Sequence, residues 1–399
     1  MANLVEEKLP MRALLAGARR KEREMIHQIR ELVLIESPSD DPRATAACVA
    51  KVAEWAHALG GRVKIHKAAG ATHKVPGSGG ILEARFGAKL PATKQPGRIL
   101  LLGHLDTVWP IGTLKTMPWR ESGGKLHGPG VLDMKTGVVM ALKAVELLLE
   151  AESLSSTHRE VLLLLTTDEE TGSHASRGLI EALAITAGSV LVLEPAQGLA
   201  YKTARKGTGN WRIEVEGVGA HAGVDFEKGR NAVRELARQI EIVSQWTELS
   251  RGLTVSVDVI GGGAKTNVIP ASAWAEVDVR ISKKSDGTRI TRRFNSIRAI
   301  DKGCKVKAIG GINRPPMERT RATVKLYEKA RSLARELEID LQEAATGGAS
   351  DGNFTSALGV ATLDGMGAVG AGAHASHEHV VISELAPRLA MLAGLIAHN

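Results

Sequence analysis

Apolar residues run through this chain in two rhythms, and the change from one to the other divides it. Up to about Arg205, short unbroken apolar runs alternate with longer stretches of helical spacing. Residues 21–35 and 43–59 place apolar side chains three and four apart, as a helix buried along one face requires. "ESPSDDP" stops the first, and Gly60 with Gly61 stops the second. Runs at 62–66, 80–86, 99–102, 161–166 and 190–193 read as strands. "DMKTGVVMALKAVELLLEA" reads as a strongly apolar helix beginning near Asp133. Strands alternating with helices predict an α/β unit with a mixed, largely parallel sheet flanked by helices.

Beyond Arg205 the period shortens. "WRIEVEGVG", "LTVSVDVIGGG" and "SAWAEVDVRI" alternate apolar and polar positions, like strands buried on one face. Residues 226–246 and 290–300 are helical in spacing. Strand, helix, strand, strand, helix and a last strand make an inserted α+β unit of ferredoxin-like order. "GGINRPP" reads as its exit linker, and the chain is helical again from Glu318. The final ~80 residues return to the first unit, a size consistent with ordinary domains. The expected boundaries are therefore 1–205 with 317–399, around an insert at 206–316.

Composition narrows the function. Of 399 residues, 43% are hydrophobic and only 3% aromatic, so the core is aliphatic and the chain globular. Lys and Arg number 52 against 44 Asp and Glu, a net charge of +8. These charges are scattered, which suits an anionic substrate but not nucleic acid, for which a concentrated patch is needed. Cys48 and Cys304 are the only cysteines, which excludes a disulfide scaffold and a cysteine-based zinc site. No apolar run approaches the ~20 residues of a membrane span. The N-terminal stretch lacks the apolar core of a signal peptide, so the expected location is cytoplasmic, with no membrane partner.

Metal-type side chains recur where apolar strands end. "RILLLGHLDTVWP" delivers His104 and Asp106, two residues apart and so on one face of a strand. Such a carboxylate can hold the second ring N–H of a ligating imidazole. "GPGVLDMKTG" carries Asp133, "LLLLTTDEETGS" carries Asp168, Glu169 and Glu170, "VLVLEPA" carries Glu194, and "GAGAHASHEHV" carries His374, His377 and His379. Singly, each has a plainer use: Asp133 as a helix N-cap, the acidic triplet as a solvated loop, the histidines as a polar tract. Five in succession at strand ends and Gly-rich loops point instead to one or two divalent metals. Zinc suits these ligands best, with cobalt or manganese as substitutes.

These motifs, with "GHLDTV", "DEETGS", "GVGAHAG", "TNVIP" and "HASHEHV", resemble those of the M20 family of co-catalytic zinc peptidases. Within it the chain is most similar to the glutamate carboxypeptidases of the carboxypeptidase G2 type. The resemblance covers almost the whole chain. It implies that Asp133 bridges two zinc ions, that His104 and Glu194 hold one, and that Glu170 and His374 hold the other. It implies a cis peptide between Asp133 and Met134, Asp106 orienting His104, and Glu169 as general base. His374 stands four residues before Glu378, as the family pattern places its histidine, while His377 is an additional candidate. His221 would stabilise the oxyanion in the partner site of a homodimer formed through the insert, which also acts as a lid. Asn267, Arg280 and Gly348, the last in a glycine loop with Gly347, would contact substrate.

The implied activity is di-zinc hydrolysis of an amide bond, releasing a C-terminal amino acid, glutamate foremost, from an N-acyl or peptidyl substrate with a free carboxylate. The alternative is a deacylase of N-acyl amino acids, resembling acetylornithine deacetylase, succinyl-diaminopimelate desuccinylase or the aminoacylases. A binding protein without turnover is the competing class, and Glu169 beside all five implied ligands argues against it. A zinc-stabilised scaffold would use closed Cys/His sites.

Overall fold

In the computed structural model, which describes residues 9–67, 79–154 and 158–399, the chain divides into two units. The first draws on Met1–Thr203, Arg319–Ala345 and Ser350–Asn399, the second on Ala204–Glu318 and Thr346–Ala349. The glycine loop at 347–348, inside the span 317–399, thus groups with the second unit.

The first unit is built on strands β1 (Arg62–His66), β2 (Ile81–Gly87), β3 (Gln95–His104), β4 (Glu160–Thr166) and β5 (Ala187–Val192). Their order is β1-β2-β4-β3-β5, followed by Ala361–Leu363. β1 and β2 run antiparallel to their neighbours, whereas β4, β3, β5 and Ala361–Leu363 are mutually parallel. Parallel strands are covered on both faces, which is why Leu100–Leu102 and Leu162–Leu165 are aliphatic without alternation and have no exposed surface.

Four helices of this unit are α1 (Met11–Val33), α2 (Pro42–Ala58), α3 (Thr136–Glu150) and α4 (Arg177–Ala184). α1 begins ten residues earlier than the spacing at 21–35 suggests. Met11, Leu14 and Ala18 continue the buried stripe of Met25, Ile29 and Leu32, and the charged run at 19–24 lies off that stripe. α2 starts as its sequence demands, with Pro42 in the first turn and the Asp41 carboxylate accepting the Arg43 and Ala44 N–H groups. α3 starts at Thr136, not near Asp133. Residues 131–135 form an irregular turn in which Asp133 has φ −114° and ψ 91°, so it is no helix cap. No described helix is long and apolar enough to cross a membrane.

The second unit comprises β6 (Gly207–Glu216), α5 (Ala232–Ser244), β7 (Thr254–Gly262), β8 (Ser272–Ile281), α6 (Lys284–Asn295) and β9 (Lys305–Arg314). The sheet order β7-β8-β6-β9, antiparallel throughout, is the ferredoxin-like arrangement. Trp211, Ile213, Val277, Val279, Leu236, Ile290 and Phe294 share its core. Three local readings of the sequence are corrected. The helix over 226–246 is broken: Phe226–Lys228 is a separate turn, Gly229 is extended, and the Asn231 side chain caps α5 through the Arg234 N–H. The helix over 290–300 lies earlier, because its first turn carries Asp286, whose buried carboxylate pairs with Arg251 and Arg289. "GGINRPP" is not a linker, since Gly310 to Arg314 complete β9. Gly310 adopts φ +149°, and a Cβ there would overlap the Asn210 carbonyl oxygen. The glycine serves close strand approach.

At the lower end of β3 and β4, Arg98 and Glu160 form an ion pair with almost no exposed surface, Nε to Oε2 at 2.6 Å. Arg62 and Arg85 also point at Glu160, and the Arg98 guanidinium donates to the carbonyls of Leu90 and Pro91. Glu160→Ala leaves a buried guanidinium without its counter-charge. We expect a loss of about 3–5 kcal/mol in unfolding free energy by denaturant titration. A loss below the ~1 kcal/mol of an exposed pair means that water reaches Arg98.

Candidate metal centre

β3, β4 and β5 are parallel, so their carboxyl ends share one edge of the sheet, and the loops leaving that edge carry the polar residues. His104 ends β3 and is 1% exposed. Asp106 follows it, Asp168, Glu169 and Glu170 follow β4, and Glu194 follows β5. Asp133 reaches the same place from the turn before α3, and its peptide bond to Met134 is cis. Asp133 Oδ1 lies 3.3 Å from His104 Nε2, and Oδ2 lies 3.3 Å from His374 Nε2. Glu194 Oε1 is 3.7 Å from His104 Nε2, and Glu170 Oε1 is 3.3 Å from His374 Nε2. Two groups result, His104–Asp133–Glu194 and Asp133–Glu170–His374, each with its ligand atoms within 4.8 Å of one another. His377, the additional candidate, is exposed and in neither group.

The electrostatics are those of a site built for cations. Burial works against a charged His104, yet Asp106 and Asp133 push its pKa well above the ordinary histidine value. Hydrogen bonds to Asp133 and then Glu170 push His374 up to about 10. Burial opposes ionisation of Asp133, but both imidazoles hold its carboxyl far below the usual range. Glu170 Oε1 is buried, with the His374 ring nitrogen 3.3 Å away. Carboxylates crowded around two imidazoles match the N/O donor sets of divalent metals. His104, Asp133 and Glu194 could hold one ion, and Asp133, Glu170 and His374 a second.

Around these residues lies a ring of supports. His104 Nδ1 donates to the Asp106 backbone carbonyl at 2.9 Å and sits 3.4 Å from its carboxylate, so the expected imidazole–carboxylate contact is shared with the main chain. The Asp106 carboxylate accepts the N–H groups of Glu169 and Glu170 at 3.3 and 3.1 Å and the Ser39 hydroxyl at 2.7 Å. Asp106 thereby couples His104 to the loop that bears Glu169, itself buried. Two supports escaped the sequence reading. Ser39 lies in "ESPSDDP", taken only as a helix stop. Glu378 served only as a landmark for His374, yet it is fully buried and accepts from Trp109 Nε1 and from the main-chain N–H groups of Gly130, Leu132 and Asp133. The one sequence signal for Glu378 was its fixed spacing from His374.

The remaining candidates belong to the second unit. His221 is exposed, and its Nδ1 accepts the Gly223 and Val224 N–H groups at 3.2 Å each, which places the proton of the neutral ring on Nε2. Asn267 is exposed, and its carbonyl accepts the Ala222 N–H beside His221. Arg280 Nε donates to Asp278 at 2.8 Å. The Gly348 carbonyl accepts from Arg205, while a Cβ at Gly347 would meet nothing within 4 Å, so no neighbouring protein atom demands that glycine.

Residues 100–398 match peptidase family M20/M25/M40. Carboxypeptidase G2 of Pseudomonas sp. (strain RS-16) is 30% identical over 396 residues, 92% of each chain. A succinyl-diaminopimelate desuccinylase of Delftia acidovorans is 26% identical over 309 residues, 72% of this chain and 78% of its own. Among solved structures, aminopeptidase PepT of Bacillus cereus shares the fold, with a TM-score of 0.76 at 19% identity over 94% of this chain and 98% of that one.

Because His374 keeps its proton up to about pH 10 in the metal-free protein, it is protonated at pH 8 and must lose that proton to bind a metal. Metal addition at pH 8 is expected to release a proton that His374→Gln no longer releases. Calorimetry in buffers of different ionisation enthalpy reads the difference. Equal release from both proteins would remove His374 from the ligand set.

Proposed function

The chain belongs to peptidase family M20/M25/M40 and is a hydrolase of that family, and from this premise we propose that it releases the C-terminal amino acid of an N-acyl or peptidyl substrate. One observation carries the reading: Asp133 turns one carboxylate oxygen to each of two histidines, 3.3 Å from both. That is the arrangement a pair of ions sharing one bridging carboxylate needs. Zinc is the metal we assign. Two such ions supply Lewis-acid polarisation of the scissile carbonyl and acidify a water molecule.

The protein's own residues then have distinct tasks. Glu170 commits its charge to the ligand set. Glu169, its neighbour, is buried and has its main-chain N–H fixed by Asp106. It takes the proton of the attacking water as the oxygen–carbon bond forms, and returns it to the amine as the carbon–nitrogen bond breaks. Asp106 orients His104 and the Glu169 loop together. His221 presents Nε2–H as a donor, the form an oxyanion requires, and we assign it to the site of a partner subunit in a homodimer. We assign Arg280, with Nε held by Asp278, to a substrate carboxylate through its Nη groups, and Asn267 and Gly348 to further substrate contacts.

The similarity to carboxypeptidase G2 favours glutamate as the released residue. The similarity to a succinyl-diaminopimelate desuccinylase favours a second reading, removal of an acyl group from an N-acyl amino acid. A panel of acyl-glutamate, peptidyl, acetyl and succinyl substrates, tested with metal-loaded and chelator-treated protein, separates them. Metal-dependent glutamate release supports the first, and preference for acetyl or succinyl amino acids supports the second. Two bound metals without turnover of any substrate would sink both.

Glu169→Gln is expected to lower kcat by about 10²- to 10⁴-fold with metal content unchanged. Elemental analysis beside the steady-state assay checks it. Metal lost in step with activity would make Glu169 a ligand and not the base.

A further inference from the structure

The two ligand groups are supported differently. His104 stands at the end of β3, inside the hydrogen-bond ladder with β4, and its ring is fixed by the Asp106 carbonyl. Glu194 stands two residues beyond β5, and its carbonyl accepts the Gly367 N–H. This half of the centre is an extension of the sheet. His374 belongs to a loop, and half of its side chain is exposed. Among the described residues, the polar groups facing the ring are the Asp133 and Glu170 carboxylates, which are themselves the proposed ligands.

What fixes that loop is Glu378. The Ala375 and Glu378 N–H groups close two successive turns onto Gly372 and Ala375, so His374 lies inside a short folded segment ending at Glu378. The Glu378 carboxylate is the fastening. Oε1 accepts from Leu132 N at 2.8 Å and Asp133 N at 3.1 Å, and Oε2 accepts from Trp109 Nε1 at 2.9 Å and Gly130 N at 3.0 Å. An ionised carboxylate offers about four lone-pair sites, and here all are filled. Three of the donors belong to the turn that aims Asp133, the bridging residue. One buried side chain thus ties the His374 segment to the Asp133 turn across 245 residues of sequence.

We propose that Glu378 is a positioning residue that makes the Asp133–Glu170–His374 group competent to hold its ion. The His104 group, supported by the sheet, depends on it less. The inference rests on reading the two groups as a metal pair. Glu378→Gln tests it with little change of volume. The amide keeps one acceptor oxygen but turns an NH2 group toward two N–H donors, so one pair of bonds becomes a repulsion. Trp109→Phe is milder, removing one donor and leaving the carboxylate and the main-chain bonds.

The experiment is calorimetric titration of the metal-free full-length protein with Zn2+ alone, with the melting temperature of each metal-free variant measured alongside. The wild type is expected to take up two ions per chain. In Glu378→Gln the first step keeps its affinity and the second weakens by about 10- to 100-fold, the usual effect of losing an outer support of a metal ligand. Trp109→Phe shows a smaller weakening of the second step, at an unchanged melting temperature. Equal weakening of both steps, or none, overturns the proposal. If Glu378→Gln does not fold, the same two outcomes in Trp109→Phe decide it. A wild type that takes up fewer than two ions overturns the metal-pair reading and this one together. Two ions in the wild type and an unaltered second step in the variants overturn this one alone.

Discussion

A single carboxylate, that of Asp133, faces two imidazoles 3.3 Å away on opposite sides, and the first unit is organised around holding it there. Neither the separation nor the aim of two ligand groups can drift by much before a shared carboxylate fails to serve both. Such accuracy comes from packed secondary structure rather than from loops. The aliphatic sheet supplies it: β3 and β4 have no exposed apolar surface in their central runs, so the edge from which His104 emerges is rigid. α3 is brought against that edge so closely that a Cβ at Gly137 would overlap the Leu193 carbonyl oxygen. This approach brings the turn before α3 beside Glu194.

The same carboxylates that make the site also oppose its formation. Buried like charges raise one another's energy, and protons, metal ions or hydrogen-bond donors relieve them. The structure answers with directed N–H and O–H groups. Asp106 receives two main-chain donors and Ser39, and Glu378 receives three main-chain donors and Trp109. Neighbouring acids are thereby given different work. Glu169 and Glu170 are adjacent in sequence, but only Glu170 stands in a ligand group. Their main-chain N–H groups share one acceptor, Asp106, which sets the two side chains as a unit.

The candidate metal-type side chains were readable because each lies in its own local pattern, an apolar strand or a Gly-rich turn ending on a polar side chain. The fold was readable for the same reason, since buried parallel strands and half-buried antiparallel ones leave different periods. What misled the sequence reading was competition between local signals. Gly310 looked like a linker because glycine breaks strands on average, yet here it is what allows β9 to lie against β6. Phe226 looked like the start of α5 because apolar spacing continues across Gly229, and only Asn231 marks the true cap. Ser39 and Glu378 were invisible for a different cause. Their partners lie 67 and up to 269 residues away, and nothing in their immediate neighbours records that distance.

The C-terminal helix Leu385–His398 packs on α1 so tightly that a Cβ at Gly394 would overlap the Met11 sulfur. The first described helix and the last therefore complete one core. On a ribosome, α1 emerges before α3 and long before the C-terminal helix, so part of its buried stripe stays uncovered until residues 385–398 follow. The second unit draws on the nearly unbroken stretch Ala204–Glu318 and can close its own core meanwhile. His374 is translated after Asp133 and Glu170, so a chain stalled before it lacks one member of the second candidate group. The order of synthesis thus leaves the candidate metal centre incomplete until residue 374 has been made.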